Sequence, residues 1–449
     1  MSRFLAHNVH LMAVPPLKAP VVVHWFRRDL RWHDNRALNE ALTSGLPVLP
    51  LFIFDPNILE RLDSKDDARV TFLHRTLGEM NQKARDLESG ILVVHATPLE
   101  ALQSLVNSGM VQAVYANEDY EPYAQERDGG IRNLLESSGV DFFTCTDHVV
   151  QAPGEVMKPD GKPYTVFTPF SKRWHANLSE DNLRESPSQN HLANLLHWSA
   201  PDMPELEDLG FVTSTLAFPP SRVNVDVVKR YADTRDIPSV AGTSRISLHL
   251  RFGTLSVREV AKVGFKHSDK WLTELIWRDF YQAIMHAFPH SMTQAFKPQY
   301  DRVPWRHDDS HFEAWKEGKT GYPLVDAGMR ELLATGFMHN RVRMVVASFL
   351  CKHLLLDWRL GERHFAAHLL DFELASNVGG WQWAAGSGCD AAPYFRVFNP
   401  TSQLSKFDPD YAYVKRWVPE WGTPAYPDPI VDHKMARQRA IDTYKAALT

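Results

Sequence analysis

Residues 20–54 read PVVVHWFRRDLRWHDNRALNEALTSGLPVLPLFIF, and this stretch decides the architecture of the first third of the chain. Two continuous apolar runs, 20–26 and 47–54, flank a longer polar segment. Such runs are typical of strands that are buried on both faces of a parallel sheet. The stretch therefore predicts a strand, a crossover and a second, parallel strand, the right-handed unit from which doubly wound sheets are built.

The same alternation continues to residue 150. Three further apolar runs read as buried strands: ILVVHA at 91–96, VQAVYA at 111–116 and VDFFTCT at 140–146. Helical patterns such as residues 68–90 separate the runs. We therefore predict an α/β domain over residues 20–150, a Rossmann-like, doubly wound parallel sheet covered on both faces. No GxGxxG motif follows the first strand, so the standard dinucleotide fingerprint is absent. Residues 1–19 carry no informative pattern.

The remainder of the chain changes character twice. Residues 151–215 are rich in Pro, Ser, Asn and Asp, which predicts an inter-domain connector with one or two short helices. From residue 216 onward the apolar positions recur at i, i+3 and i+4, as in WLTELIWRDFYQAIMHAF at 271–288. Residues 216–449 are therefore predicted to form an all-α domain.

The composition excludes several classes of protein. Hydrophobic residues make up 44% and charged residues 23%, values that place the chain among globular proteins and outside disorder. No apolar run is long enough to cross a bilayer, and the N-terminus lacks the apolar core of a secretion signal. Cys145, Cys351 and Cys389 are too widely spaced for a zinc motif. We therefore expect a cytoplasmic protein without a structural metal.

The charge is distributed unevenly along the chain. The net charge is −5, but residues 216–449 carry 30 Lys and Arg against 25 Asp and Glu, whereas residues 1–215 carry 19 against 29. Only the second half therefore offers a face suited to phosphates. A plain difference in surface charge between two domains explains the same numbers, and composition does not decide between these interpretations.

A pair of tryptophans, in GGWQWAAGSG at 379–388, is the first candidate for chemistry. On a helix, residues two positions apart point about 200° around the axis from each other, so Trp381 and Trp383 face opposite sides. One ring can then pack inward while the other lines a cavity, and the small flanking residues permit close approach of a ligand. Core packing of both rings is the alternative.

A second candidate cluster lies in WLTELIWRDF at 271–280. Trp271, Glu274 and Arg278 share one helical stripe, with Trp277 three residues from Glu274. Charged side chains on a largely apolar helix are costly to bury without polar partners. The stripe suits a planar polar ligand, and an ion pair between Glu274 and Arg278 is the alternative.

Two shorter motifs complete the candidates. FMHNRVRM at 337–344 puts Asn340 and Met344 on one helical face with Arg341 and Arg343 beside it, lining either a site or a solvated surface. GTSRIS at 242–247 precedes a helix and offers hydroxyl and backbone N–H groups. It predicts a phosphate cradle, with an ordinary helix cap as the alternative.

These motifs, with VHWFRRDLRWHDNRAL at 23–38 and EGKTGYPLVDAGMREL at 317–332, follow the order seen in the photolyase/cryptochrome family. The chain resembles this family from residue 20 to about 420, and within it looks like a class I cyclobutane pyrimidine dimer photolyase. The resemblance implies a monomeric carbon–carbon lyase that repairs UV-damaged DNA by electron transfer from excited FADH⁻ to a flipped-out dimer. A cryptochrome-type blue-light photoreceptor is the alternative.

The resemblance also assigns roles to individual residues. Implied FAD contacts are Tyr231, Thr243, Ser244, Arg245, Ile246, Ser247, Trp271, Glu274, Arg278, Asn340, Arg343, Asp371, Phe372, Glu373 and Asn377. Implied catalytic residues are Glu274, Trp277, Asn340, Met344, Asn377 and Trp383. An implied electron-transfer chain runs from Trp381 through Trp358 to Trp305. Implied DNA contacts are Arg235, Glu274, Trp277, Asn340, Arg341, Trp383, Gln403 and Lys406.

The chain departs from the family pattern near the flavin. The usual Asp-x-Asp reads Asp371-Phe372-Glu373, so the second carboxylate is one methylene longer. Phe337 stands where a tryptophan is common.

The second, antenna chromophore is the least defined implication. Folate-binding relatives have an Asn-Glu pair that aligns with Tyr123 and Ala124, and a later lysine that aligns with Met292. Methenyltetrahydrofolate is therefore disfavoured. A deazaflavin, another flavin or an empty cleft stays open.

Overall fold

The computed structural model describes residues 17–449, which form two compact units. The first, here called the α/β unit, contains the described residues up to 150 together with residues 183–215 and 252–259. The second, the helical unit, contains residues 151–182, 216–251 and 260–449. The predicted uninformative segment 1–19 lies outside the described residues up to position 16.

The α/β unit is built on a five-stranded sheet in the order β3-β2-β1-β4-β5. Its strands are β1 Val21–Phe26, β2 Val48–Phe54, β3 Leu92–His95, β4 Val111–Asn117 and β5 Asp141–Cys145. All four pairs of neighbouring strands in this sheet are parallel, so the sheet is doubly wound as predicted. All residues of β1 and β2 are buried, because central strands are covered on both faces, whereas the edge strand β5 is largely accessible.

The helices of this unit follow their strands with ordinary capping chemistry. They are α1 Arg36–Leu42, α2 Pro56–Leu59, α3 Ala68–Arg85, α4 Pro98–Val106 and α5 Pro122–Ser137. The side chains of Asn35, Asp55 and Asp67 accept backbone N–H bonds at the starts of α1, α2 and α3. Thr97 and Glu100 form a reciprocal capping box at α4.

A buried charge network stabilises the α/β unit. Asp147 accepts from Arg31 Nη2 at 2.5 Å and from Arg258 Nη2 at 2.8 Å, and Arg258 Nε also donates to Asp34 at 3.0 Å. Burial alone would raise the pKa of Asp147, but the charges of Arg31 and Arg258 outweigh burial and hold that pKa well below its ordinary value. The network therefore requires an ionised carboxylate at position 147.

The helical unit carries the remaining α-helices. Its helices are α6 Phe167–Asn177, α7 Glu180–Leu183, α8 Val225–Thr234, α9 Ser247–Phe252, α10 Val257–His267, α11 Asp269–Ala287, α12 Asp309–Lys316, α13 Pro323–Thr335, α14 Asn340–Ser348, α15 Trp358–His368, α16 Leu374–Ala385, α17 Pro400–Phe407, α18 Ala412–Trp417 and α19 His433–Leu448. A few residues of α7, α9 and α10 are grouped with the α/β unit. Within residues 17–449, no helix is both long and apolar enough to cross a bilayer.

The segment predicted as a connector is divided between the units. Residues 151–182 belong to the helical unit and residues 183–215 to the α/β unit. The first part joins the helical unit because α6 packs on α11: Phe170 lies 5.1 Å from Phe280, and the Trp174 indole donates to Asp279 Oδ2 at 2.9 Å. Three aromatic residues of α6 contact α11: Phe167, Phe170 and Trp174. The polar composition of the surrounding segment gave no sequence signal for these contacts.

Candidate active site

The helical unit encloses a cavity of about 560 Å³ between α8, α11, α14 and α16. Most of the predicted site residues line it: Tyr231, Arg235, Thr243, Ser244, Arg245, Ile246, Ser247, Trp271, Glu274, Trp277, Arg278, Asn340, Arg341, Arg343, Met344, Asp371, Phe372, Glu373, Asn377, Trp381 and Trp383. Four others do not line it: Trp305, Trp358, Gln403 and Lys406. We refer to this space as the active-site cavity.

One end of the active-site cavity is rich in hydroxyl and guanidinium groups. Ser247, the first residue of α9, donates from Oγ to Asp371 Oδ2 at 2.6 Å, and Arg343 Nη2 donates to both Asp371 oxygens at 3.1 Å. Arg245 has φ +53°, a strained conformation, and its guanidinium lies 4.1 Å from the Phe337 ring centroid. Hydroxyls and arginines held in this way suit the phosphates of a nucleotide.

A second arginine–carboxylate pair lies on the adjoining wall. Arg278 of α11 donates from Nη2 to Glu373 Oε1 at 3.0 Å, and Ser376 Oγ donates to Glu373 Oε2 at 3.1 Å. Both members of the pair are largely buried. The longer carboxylate at position 373 therefore holds Arg278 in a fixed position beside the cavity.

Glu274 of α11 lines the active-site cavity and is the acidic residue that the sequence predicted to contact substrate. Its carboxylate accepts a hydrogen bond from Arg235 Nη1. Burial raises the pKa of Glu274, and the positive charge of Arg235 opposes that rise. Burial, followed by the nearby Glu274 charge, also raises the pKa of Tyr231. Burial therefore acts toward the protonated carboxyl, which is the form that donates a hydrogen bond to a carbonyl, whereas the ion pair with Arg235 acts toward the ionised form.

Asn377 presents one defined polar group to the cavity. Its Nδ2 donates to the Glu362 backbone oxygen at 3.1 Å and to Glu362 Oε1 at 2.9 Å. Burial raises the pKa of Glu362, and the bond from Asn377 partly opposes this. With Nδ2 committed to Glu362, the Oδ1 oxygen of Asn377 is left as an acceptor for a ligand N–H.

The paired tryptophans occupy different surroundings on α16. Trp381 is 2% exposed, and its ring lies 5.0 Å from Phe365 and 6.1 Å from the buried Trp315. Trp383 is half-buried and lies 6.2 Å from Phe398. Both rings line the cavity, and the buried indole N–H of Trp381 has no acceptor among the described residues.

The glycines around these rings permit close approach. A Cβ at Gly361 would lie 2.1 Å from the Trp381 ring, and one at Gly379 would lie 2.3 Å from the Tyr281 ring. A Cβ at Gly380 would meet nothing within 4 Å, and Gly380 lines the cavity. Glycine at 361 and 379 is therefore required by packing, whereas Gly380 keeps the cavity open.

The other two predicted electron-transfer tryptophans lie away from the cavity. Trp358 is the first residue of α15 and is buried, with the Arg359 guanidinium 4.8 Å from its centroid. Trp305 is half-buried and lies 5.9 Å from Tyr444. The three side chains thus range from a buried cavity wall to a partly exposed position.

The Phe407 ring of α17 lies beside Arg341, a residue that lines the active-site cavity. Arg341 Nη2 donates to Asp236 Oδ1 at 2.8 Å, and its guanidinium lies 4.4 Å from the Phe407 centroid. Lys406 Nζ lies 5.1 Å from the same centroid, and Gln403 is one turn earlier on α17. Predicted DNA contacts on α14 and α17 are therefore neighbours.

Models of known protein families match parts of both units. Residues 22–189 match the DNA photolyase family model, and residues 271–424 match the FAD binding domain of DNA photolyase. The chain belongs to the DNA photolyase family. The predicted membership and the predicted two-part fold are both confirmed, and the second match indicates FAD as the cofactor.

Individual photolyases resemble the chain over nearly its full length. Deoxyribodipyrimidine photo-lyase of Halobacterium salinarum is 36% identical over 94% of this chain and 98% of its own. The structure of a bacterial class III photolyase from Agrobacterium tumefaciens has a TM-score of 0.84 at 32% identity, covering 96% and 98% of the two chains. An archaeal photolyase from Sulfolobus tokodaii, solved with two FAD molecules, has a TM-score of 0.82 at 34% identity, covering 95% and 99%.

Sequence reasoning missed several residues of this photolyase site. Tyr281, Ser376 and Gly380 all line the cavity. Tyr281 lies four residues after Trp277 on the same stripe of α11, so its helical spacing was a usable signal. Phe167 contacts Trp277 from within the predicted connector, and no periodicity marked it.

Proposed function

We propose that this chain is a deoxyribodipyrimidine photo-lyase that uses blue light to split cyclobutane pyrimidine dimers in UV-damaged DNA. The observation that carries the proposal is that one cavity is lined both by the implied FAD contacts and by the implied lesion contacts. An electron donor and a flipped-out dimer then lie within the same space. The relatives named deoxyribodipyrimidine photo-lyase support the same activity.

The residues of the active-site cavity fit FAD. Its volume of about 560 Å³ lies in the range typical of cofactor sites, roughly 300–1,000 Å³. The Arg343–Asp371 pair and the hydroxyls of 243–247 suit the diphosphate, and Trp381, which lines the cavity, has a buried N–H without an acceptor among the described residues. When bound and reduced, FAD supplies the photoexcited electron that opens the cyclobutane ring.

Glu274 is proposed to hold a pyrimidine carbonyl. A protonated carboxyl donates to that oxygen and stabilises the negative charge that develops on the pyrimidine during repair. Burial raises the pKa of Glu274, which is the direction that this role requires, and the charge of Arg235 opposes the rise. Trp277 and Trp383 would contact the faces of the dimer, with Asn340 and Met344 completing the wall.

Asn377 is proposed to select the reduced, N–H-bearing state of the flavin ring. Its Oδ1 accepts a hydrogen bond without adding negative charge beside an anionic ring, which an aspartate would do. The two bonds from Nδ2 to Glu362 hold the amide in this orientation.

The tryptophans Trp381, Trp358 and Trp305 are proposed to relay an electron to the cavity from the protein surface. Indole rings lose an electron transiently, and a series of rings allows the charge to move in steps. Trp381 and Trp358 are each 2% exposed, whereas Trp305 is half-buried, and this supports Trp305 as the surface end of the relay.

DNA binding is proposed to depend on phosphate contacts around the rim. Arg341 and Lys406 both lie beside the Phe407 ring. Arg235 and Arg341 both pair with Asp236, and Gln403 lies on the same helix as Lys406. Neutralising backbone phosphates makes affinity strongly dependent on salt. Damaged pyrimidines are poorly stacked, so less energy is needed to flip them into the cavity.

A flavin or deazaflavin antenna is proposed for the α/β unit. The guanidinium groups of Arg27 and Arg127 lie 4.8 and 4.9 Å from the Trp25 ring centroid, and that of Arg61 lies 5.5 Å from the Tyr123 ring centroid. Trp25 lies near the end of β1 and Arg27 directly follows that strand, while Tyr123 and Arg127 lie on α5, which follows β4. The carboxyl ends of parallel strands are where open α/β sheets bind ligands. We further propose that the protein acts as a cytoplasmic monomer.

One experiment tests the proposed function. Purified, chemically reduced protein is illuminated with blue light in the presence of an oligothymidine that carries dimers. Recovery of thymine absorbance, dependent on light, is the expected result. Flavin binding and photoreduction without any recovery would favour a photoreceptor and refute the proposal.

A further inference from the structure

A stacked aromatic pair beside the active-site cavity joins α6 to α11. The rings of Phe167 and Trp277 are stacked, with centroids 3.6 Å apart and planes inclined by only 3°. Trp277 also contacts Phe280 at 5.7 Å and Tyr281 at 5.5 Å. Offset or edge-on arrangements are usual for aromatic pairs, so nearly full overlap requires that both rings be held by their surroundings.

Phe167 is held firmly although it begins a helix in a loop-rich region. Its backbone N–H donates to Asp390 Oδ2 at 3.0 Å. Further along α6, Phe170 is buried against Phe280, and Trp174 is fully buried with its indole N–H bonded to Asp279. The position of the Phe167 ring is therefore determined by the core of the helical unit.

The two rings differ in their relation to the cavity. Trp277 lines the cavity, whereas Phe167 is not among the lining residues. Phe167 therefore supports Trp277 from outside the space that a ligand enters. An aromatic surface that is fixed before binding loses less conformational entropy when a ligand stacks on it.

We propose that Phe167 is a positioning residue that holds the Trp277 ring in the orientation required to stack on a flipped-out pyrimidine dimer. This inference rests on the proposed repair function and assigns a role in substrate recognition to the N-terminus of α6. Phe167 contacts neither substrate nor flavin and acts through Trp277. It should therefore affect lesion affinity and leave flavin chemistry unchanged.

The test compares Phe167→Ala and Phe167→Leu with Phe167→Tyr, which retains the ring. Affinity is measured for an oligonucleotide with one thymine dimer and for the same undamaged sequence. Losing an aromatic pair predicts that the first two variants bind the damaged strand about three- to tenfold more weakly. Phe167→Tyr should restore the wild-type value. Affinity for undamaged DNA, flavin content and the rate of flavin photoreduction should not change.

Phe170→Leu is the matched control. Phe170 packs on Phe280, and among the described residues its ring does not contact that of Trp277, so the substitution perturbs α6 without removing a ring from Trp277. A similar selective loss in Phe170→Leu would overturn the inference, since general loosening of α6 would then explain it. Unchanged affinity in both ring-deleting variants would also overturn it. Tighter binding would overturn it as well, because it would show that the Phe167 ring occupies the position that the lesion takes.

The result separates this inference from the proposed function. If the wild-type protein does not distinguish damaged from undamaged DNA, the proposed function fails. If the wild-type protein distinguishes them and the Phe167 variants do so equally well, only the positioning role fails.

Discussion

Arg278 Nη2 donates to Glu373 Oε1 at 3.0 Å, which joins the middle of α11 to the residue that precedes α16. Glu373 is the position at which the chain departs from the Asp-x-Asp pattern of the family. The extra methylene does not remove the carboxylate from the site, because Glu373 is bonded both to Arg278 and to Ser376. The departure is therefore accommodated by a defined ion pair at the wall of the active-site cavity.

We predict that Glu373→Gln lowers FAD retention. A neutral amide would leave the largely buried Arg278 without its charged partner, and hydrogen bonds to charged groups contribute about 1.5–3 kcal/mol. FAD affinity should fall roughly tenfold to a hundredfold, measured as the ratio of flavin to protein absorbance after dialysis. Glu373→Asp, which keeps the charge, should lose less; equal retention in all three proteins would contradict the predicted role.

We predict that Glu274→Ala lowers repair and leaves flavin content intact. The carboxyl is expected to donate to a pyrimidine carbonyl, so its removal should weaken dimer binding about tenfold and reduce the number of dimers split per photon. Glu274→Gln always carries a donor and should retain more activity than Glu274→Ala. The measurement is repair of a dimer-containing oligonucleotide by pre-reduced protein. Loss of FAD from Glu274→Ala would instead assign this residue to cofactor binding.

We predict that Trp305→Phe blocks photoreduction of bound FAD but spares repair by protein that was reduced chemically. Phenylalanine is much harder to oxidise than tryptophan, so the relay would stop before the surface. Flavin absorbance under blue light measures the first effect and dimer repair the second. Trp315→Phe is the matched control, because Trp315 also contacts Trp381 but lies outside the proposed relay. Photoreduction that survives Trp305→Phe and fails in Trp315→Phe would redirect the path.

We predict that Asp147→Asn destabilises the α/β unit by about 3 kcal/mol, because it leaves buried Arg31 and Arg258 with too little negative charge. Urea unfolding followed by circular dichroism measures the change in the free energy of unfolding. Asp202→Asn is the control: Asp202 pairs with Arg85 on the surface, and such pairs contribute about 0–1 kcal/mol. Equal effects in the two variants would contradict the burial argument.

The same carboxylate predicts an acid dependence. The pKa of Asp147 is depressed in the folded state, so the folded protein binds fewer protons at this site than the unfolded chain. The stabilisation is therefore fully present above the ordinary pKa of 3.8 and is lost as pH falls below that value. Asp147→Asn should flatten this part of the stability profile, and an unchanged profile would remove Asp147 as its source.

Local patterns predicted the elements that depend on local physics. The central strands β1 and β2 were identifiable because a parallel strand that is buried on both faces reads as a nearly continuous apolar run. The stripe of Trp271, Glu274 and Arg278 on α11 was identifiable because helical spacing alone puts these residues on one side. That all of these motifs line one and the same cavity was expected only through the resemblance to the family.

Partner choice was not predictable from local spacing. Glu274 and Arg278 are four residues apart, but Glu274 is bonded to Arg235 and Arg278 to Glu373. Both partners come from other helices or helix ends, and only the packing of α8 and α16 on α11 brings them near. The sequence separation between two residues does not indicate long-range contacts of this kind.

The amino-acid sequence by itself determined the two kinds of unit, the helices that carry the candidate residues and the family to which the chain belongs, because periodicity and motif order are properties of the chain. Only the tertiary structure decided how residues 151–215 are divided, which charges pair at the cavity wall and that Phe167 supports Trp277. These depend on long-range packing, in which buried aromatic anchors outweigh the polar composition of the segment around them.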